Sequence, residues 1–119
     1  MRAHDQIVIY HNPACSKSRG ALEILREHGV DLEVVEYLKN PLDEDAIRRV
    51  LDLIDEAPAE LVRKDQNFHA LGLDAADFTD AQQVARLLAE NPKLMQRPVV
   101  VKGERAVIAR PSERVAQLL

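Results

Sequence analysis

The chain has 119 residues, 46% of them hydrophobic and 30% charged, enough for one domain around one core. A formal net charge of −4 provides no basic field for nucleic acid, and 3% aromatic content argues against base stacking. The single cysteine excludes an internal disulfide and fits a reducing cytoplasm, while no apolar run is long enough for a signal peptide or a membrane span.

Ile7-Val8-Ile9-Tyr10 is short and β-branched, as a buried strand should be. Residues 16–28 have helical spacing, with Leu22 and Leu25 three apart and Gly29 just past the end. Residues 31–37 alternate as a second strand, so the opening is a β-α-β unit with parallel strands and a right-handed crossover. After Asn40-Pro41, the acids Asp43, Glu44 and Asp45 open a helix whose apolar face carries Ile47, Val50, Leu51 and Ile54. Pro58 starts a short helix through Leu61 and Val62. Residues 63–77 are less regular, with Phe68 and Leu71 expected to pack. Thr79 and Gln82 fit a capping box ahead of Val84, Leu87 and Leu88, and Asn91-Pro92 stops that helix. Pro98-Val99-Val100-Val101 and Ala106-Val107-Ile108-Ala109 flank Lys102-Gly103-Glu104-Arg105 as a hairpin. Pro111 and Ser112 begin a final helix with Val115 and Leu118. The expected fold is α/β: a four-stranded mixed sheet built as β-α-β, a helical insertion over about residues 42–92, then β-β-α, in a single domain over residues 1–119.

Cys15 lies in Tyr10-His11-Asn12-Pro13-Ala14-Cys15-Ser16-Lys17-Ser18-Arg19, at or beside the first turn of a helix. Unsatisfied backbone N–H groups there favour an anion, whether a thiolate or a bound oxyanion. A free thiol titrates near ~8.5, and lowering that by about two units needs roughly 2.7 kcal/mol in favour of the anion. A helix N-terminus contributes up to roughly 2 kcal/mol, so a nearby cation or donor must contribute the rest. His11, Ser18 and Arg19 are candidates, although His11 could equally serve the turn backbone and Arg19 could face solvent. Many cysteines are inert small hydrophobes. A polar turn containing Asn, Pro and Ser is not a core environment, and favours reactivity here.

Spacing tests two motifs. A phosphatase-type loop needs an arginine after five intervening residues, and that position is Ala21. A dithiol motif needs Cys-x-x-Cys, and the fourth position is Ser18. A disulfide cycle at Cys15 therefore needs a thiol from another molecule. Arg63 follows Leu61-Val62, Arg97 precedes Pro98, and Arg110 precedes Pro111. Antiparallel placement of the hairpin brings Arg97 and Arg110 to the side where the first strand ends. The three arginines could then converge on Cys15 and hold a tetrahedral anion by forked hydrogen bonds. Surface arginines are common, and Arg48, Arg49, Arg86 and Arg114 are read as such; two Arg-Pro pairs bracketing one hairpin are a stronger signal. Arg97-Pro98 is also a candidate cis peptide.

Four segments in order, Tyr10-His11-Asn12-Pro13-Ala14-Cys15, Leu61-Val62-Arg63-Lys64, Arg97-Pro98-Val99-Val100-Val101 and Arg110-Pro111-Ser112-Glu113, carry a resemblance over nearly the full length. The chain resembles the glutathione- and glutaredoxin-dependent arsenate reductase family, of thioredoxin-like fold. The likeness points to a short bacterial subgroup without the C-terminal extension of the resistance enzymes. Ser16-Lys17 departs from the smaller residues of those enzymes. The resemblance implies a cytoplasmic oxidoreductase of arsenic detoxification that reduces arsenate to arsenite. It implies that Cys15 is the nucleophile, that His11 tunes it, that Ser18 belongs to the same loop, and that Arg63, Arg97 and Arg110 hold the substrate. It implies too that no cofactor is bound, that glutathione is the co-substrate and that glutaredoxin is the protein partner.

A second reading is a glutathione-linked thiol oxidoreductase of unknown substrate, which shares most of these residues. A third is a redox-related regulator that binds RNA polymerase, although its disulfide-switched members use Cys-x-x-Cys and Ser18 breaks that pattern. No metal site is expected, because His4, His11, His28 and His69 are scattered without ligand spacing.

Overall fold

The computed structural model describes residues 6–119, so His4 lies outside the described residues. The chain divides into two compact units, one of residues up to Asn40 with Arg97–Leu119, the other Pro41–Gln96.

The first unit is built on a sheet of order β2-β1-β3-β4. Strand β1 is Ile7–His11, followed by α1 (Ser16–Glu27) and β2 (Leu32–Glu36). β1 and β2 are parallel, in a register that runs from Ile7 opposite Leu32 to His11 opposite Glu36. The hairpin strands β3 (Val99–Lys102) and β4 (Arg105–Ile108) pair antiparallel, and β3 also pairs antiparallel with β1, Tyr10 opposite Val99. Period-two alternation puts Ile7, Ile9, Val100 and Val107 on one face. There they pack with Ala21, Leu22 and Leu25 of α1 and with Ala109, Val115 and Leu118. Val8 and Val99, on the opposite pleat, are buried too, which is why β1 and β3 read as continuous apolar runs.

The last segment, expected as a helix, is a 3-10 helix over Ser112–Leu118. With three residues per turn, Val115 and Leu118 eclipse one another, and both are buried in the core of this unit. Both Arg97-Pro98 and Arg110-Pro111 are cis peptides.

The second unit is helical. Asp43 caps α2 (Glu44–Leu53), its carboxylate accepting from the Ala46 amide, with Glu44 and Asp45 in the first turn. Ile47, Val50 and Leu51 are the buried stripe of α2, which packs against α4 (Ala81–Glu90) through Val84, Ala85, Leu87 and Leu88. A 3-10 turn spans Pro58–Leu61. The stretch read as less regular contains a short helix, α3 (Gln66–Ala70), and a 3-10 turn at Ala75–Asp77.

Two local expectations are corrected. The capping box is Asp80–Gln83, one residue later than Thr79–Gln82. The Asp80 carboxylate accepts from the Gln83 amide at 2.8 Å, and the Gln83 side chain accepts from the amides of both Asp80 and Thr79. A carboxylate is the stronger acceptor at a helix N-terminus, and it displaces the threonine from the cap. Phe68 is buried, edge-on to Phe78, but Leu71 is 56% exposed. Leu71 is the C-cap of α3, and Gly72 at φ 69° turns the chain away from the face that Phe68 fills.

Candidate active site

β1 ends at His11, and a tight turn carries the chain into α1. The Asn12 side chain accepts from the Ala14 amide, and the Asn12 carbonyl accepts from the Cys15 amide. These bonds set Cys15 at the N-cap of α1 in extended geometry, φ −99° and ψ 123°. An N-cap side chain faces the amides two and three residues ahead, here Lys17 and Ser18. The thiol is buried, at 8% exposure.

Sulfur makes a poor conventional cap, and no capping hydrogen bond of ordinary length closes. The electrostatic influence of those amides is still felt. Burial pushes the Cys15 thiol up; a hydrogen bond from the Arg97 side chain, the Ser18 and Lys17 amides and the Arg97 charge pull it down further, to about 7. The thiol therefore ionises closer to neutral pH than a free cysteine does.

Arg97 leads into β3 and Arg110 follows β4. Because both strands are antiparallel to their neighbours, these ends meet the C-terminal end of β1. Nη1 of Arg110 donates to the Arg97 carbonyl at 2.9 Å and lies 3.9 Å from Cys15 Sγ. Both guanidiniums are half-buried. The turn therefore holds a partly ionised sulfur with two arginines against it.

His11 and Ser18 form a second layer beneath the turn. Nδ1 of His11 and Oγ of Ser18 are 2.7 Å apart, and Ser18 Oγ also accepts from the Asn12 amide at 3.0 Å. Ser18 is fully buried and His11 nearly so. Burial lowers the His11 pKa, with Glu36 opposing and the charges of Arg26 and Arg19 adding to the fall, which favours the neutral ring. The ring supports the loop through Ser18, and the cations at the sulfur are Arg97 and Arg110. Arg19 donates to the Pro13 carbonyl at 2.9 Å.

Arg63 belongs to the second unit. Its amide donates to the Leu94 carbonyl and its guanidinium pairs with Asp65 at 3.1 Å. The same Asp65 caps α3 through the amides of Asn67 and Phe68. Among the described residues, no group of three or more His, Cys, Asp or Glu side chains is placed to hold a metal. Also among them, no helix is long and apolar enough to cross a membrane.

Two residues of this neighbourhood escaped sequence reasoning. Ser112 donates to the Lys17 carbonyl at 2.7 Å, and Gly20 lies directly under it. The signal available was a glycine in the middle of α1, where glycine is costly without a packing reason.

A lone cysteine at a strand-to-helix turn, on a four-stranded mixed sheet of this order, defines a thiol-centred protein of thioredoxin-like fold. The sequence pattern of the ArsC family matches residues 10–118. An arsenate reductase of Neisseria meningitidis is 38% identical over 96% of this chain and 98% of its own length. The uncharacterized Escherichia coli K12 protein YfgD is 40% identical over 96% of this chain and 97% of its own. The structure of an arsenate reductase from Vibrio cholerae superimposes with a TM-score of 0.83 at 34% identity, covering 97% of this chain and 98% of that one. The chain belongs to the ArsC family.

Proposed function

We propose that the protein is an arsenate reductase that uses Cys15 as its nucleophile and takes its electrons from glutathione and glutaredoxin. The observation that carries this reading is the thiol poised near neutral pKa with Arg97 and Arg110 beside it. The family relatives named as arsenate reductases support the choice of oxyanion.

In the first step the Cys15 thiolate attacks arsenic(V), an S–As bond forms and an As–O bond breaks, and the oxygen leaves as water after protonation. Arg97 and Arg110 neutralise charge that gathers on the arsenate oxygens during attack. The family resemblance assigns Arg63 to the substrate as well, through the Leu61-Val62-Arg63-Lys64 segment. Glutathione then adds to arsenic as a thiolate, displacing a second oxygen. A glutaredoxin thiolate attacks the glutathione sulfur; a mixed disulfide forms, the S–As bond to glutathione breaks, and the electron pair of that bond stays on arsenic, giving arsenic(III). Water cleaves the remaining S–As bond, releasing arsenite and restoring Cys15. Two thiols supply two electrons, and Cys15 returns unchanged. Because no Cys-x-x-Cys exists, the second thiol must come from outside the chain. Such a cycle belongs in a reducing compartment, and we place the protein in the cytoplasm.

The test is arsenate-dependent NADPH consumption in the presence of glutathione, glutaredoxin and glutathione reductase. Turnover that needs all three components supports the reading. Absence of turnover with arsenate, alongside reduction of glutathione mixed disulfides, would replace it by a glutathione-linked oxidoreductase of another substrate.

A further inference from the structure

The Ser112 hydroxyl donates to the Lys17 carbonyl at 2.7 Å, although Lys17 and Ser112 are 95 residues apart in sequence. That carbonyl and the Ser18 amide are two ends of one peptide group. The Ser18 amide is the donor that the N-cap geometry turns toward Cys15. A hydrogen bond at the carbonyl end of a peptide strengthens the donor at its N–H end.

Ser112 also sits two residues after Arg110, whose Nη1 lies 3.9 Å from the sulfur. The same chain segment is tied at several points. The Ala109 amide donates to Pro98, Arg110 Nη1 to the Arg97 carbonyl, and Arg114 Nη1 to the Ile108 carbonyl. Ser112 adds the bond that ties this segment to the first turn of α1.

Gly20 makes room for that bond. A Cβ placed there would stand 2.8 Å from Ser112 Oγ and 3.3 Å from Ser112 Cβ. The first distance is inside contact range, so a side chain at residue 20 forces the Ser112 hydroxyl to move from its present position. Gly20 has helical, not left-handed, backbone, so close approach and not conformational freedom accounts for the glycine.

We propose that Ser112 is a positioning residue for the Cys15 sulfur, acting through the Lys17–Ser18 peptide group and the Arg110 segment, and that Gly20 is the space that admits it. The proposal rests on the reading of Cys15 as the nucleophile, and it does not depend on arsenate being the substrate.

Cys15 is the sole cysteine, so alkylation by iodoacetamide across pH reads its ionisation without interference and without arsenate. The full chain is compared with Ser112→Ala, Gly20→Ala and the double variant, alongside melting temperatures. Ser112→Ala is expected to move the midpoint of the alkylation profile upward by a few tenths of a pH unit. Gly20→Ala is expected to move it the same way, although alanine is the better helix former. The double variant should match Ser112→Ala, because the clash and the lost bond are one interaction. An unchanged midpoint in Ser112→Ala, even with a lower melting temperature, would make Ser112 a packing residue and overturn the proposal. Additive shifts in the double variant would overturn the role given to Gly20.

Discussion

Ser18 Oγ lies 2.7 Å from Nδ1 of His11 while the Ser18 amide faces the sulfur of Cys15, so one residue joins the buried histidine to the thiol. This arrangement assigns His11 a supporting place under the loop, and leaves Arg97 as the cation that opposes the effect of burial on the thiol.

Replacing Ser18 by alanine removes the partner of both His11 Nδ1 and the Asn12 amide. Two polar groups are then left in a buried layer without that partner. Denaturant unfolding should show a loss of about 1–3 kcal/mol. Unchanged stability would mean that the layer is not closed in solution.

The pH dependence of the thiol has a definite sign. The thiolate is the deprotonated form, and its folded pKa of about 7 lies below the ordinary thiol value. The folded state therefore binds fewer protons than the unfolded state between the two values, and stability rises with pH across that window. The contribution is fully present above the unfolded value of roughly 8.5 and is lost as pH falls through the folded one. Alkylation should be half-maximal at about pH 7. In Arg97→Ala the half-maximal pH should rise toward or above the free-thiol value, because burial remains and its main opponent is gone. A profile unmoved by Arg97→Ala would shift the credit to the backbone amides.

Arg63→Ala tests the substrate role that the family resemblance assigns to this arginine. Turnover of arsenate should fall, while the rate and pH profile of Cys15 alkylation should stay near the parent values. The lost pair with Asp65, partly exposed on both sides, should cost at most about 1 kcal/mol in a melting experiment. Equal loss of turnover and alkylation would indicate a folding defect and not a lost substrate contact.

Asp80→Ala tests the helical unit. Removing the carboxylate leaves the Gln83 amide without its acceptor, and thermal unfolding should report a loss of about 1 kcal/mol. Thr79→Ala should be nearly silent, since the Thr79 side chain plays no part in the cap.

Much of this was legible from residue order. Ile7-Val8-Ile9-Tyr10 and the alternation around Leu32–Glu36 announce strands because burial on two faces or one leaves a periodic trace. The hairpin around Gly103 follows from its flanking β-branched runs, and antiparallel pairing then forces Arg97 and Arg110 to the thiol end of the sheet. What stayed hidden depends on contacts between distant residues. Sequence spacing nominated His11, Ser18 and Arg19 as partners of the thiol, but which donor faces a sulfur is decided by side-chain direction. The structure brings Arg97, Arg110 and the Ser18 amide to the sulfur. The Ser112–Gly20 contact was equally invisible, because its only local trace is one glycine inside a helix. Leu71, expected to pack, is exposed, and the capping box starts one residue after Thr79; both lie at helix ends, where capping competes with the apolar pattern.

The sulfur of Cys15 is the atom proposed to attack arsenate. The most direct measurement is arsenate-dependent NADPH oxidation by the parent chain and Cys15→Ser, in the glutathione–glutaredoxin coupled system. The predicted result is turnover in the parent and background rate in Cys15→Ser, with both proteins melting cooperatively. Retained turnover in a folded Cys15→Ser protein would contradict the account.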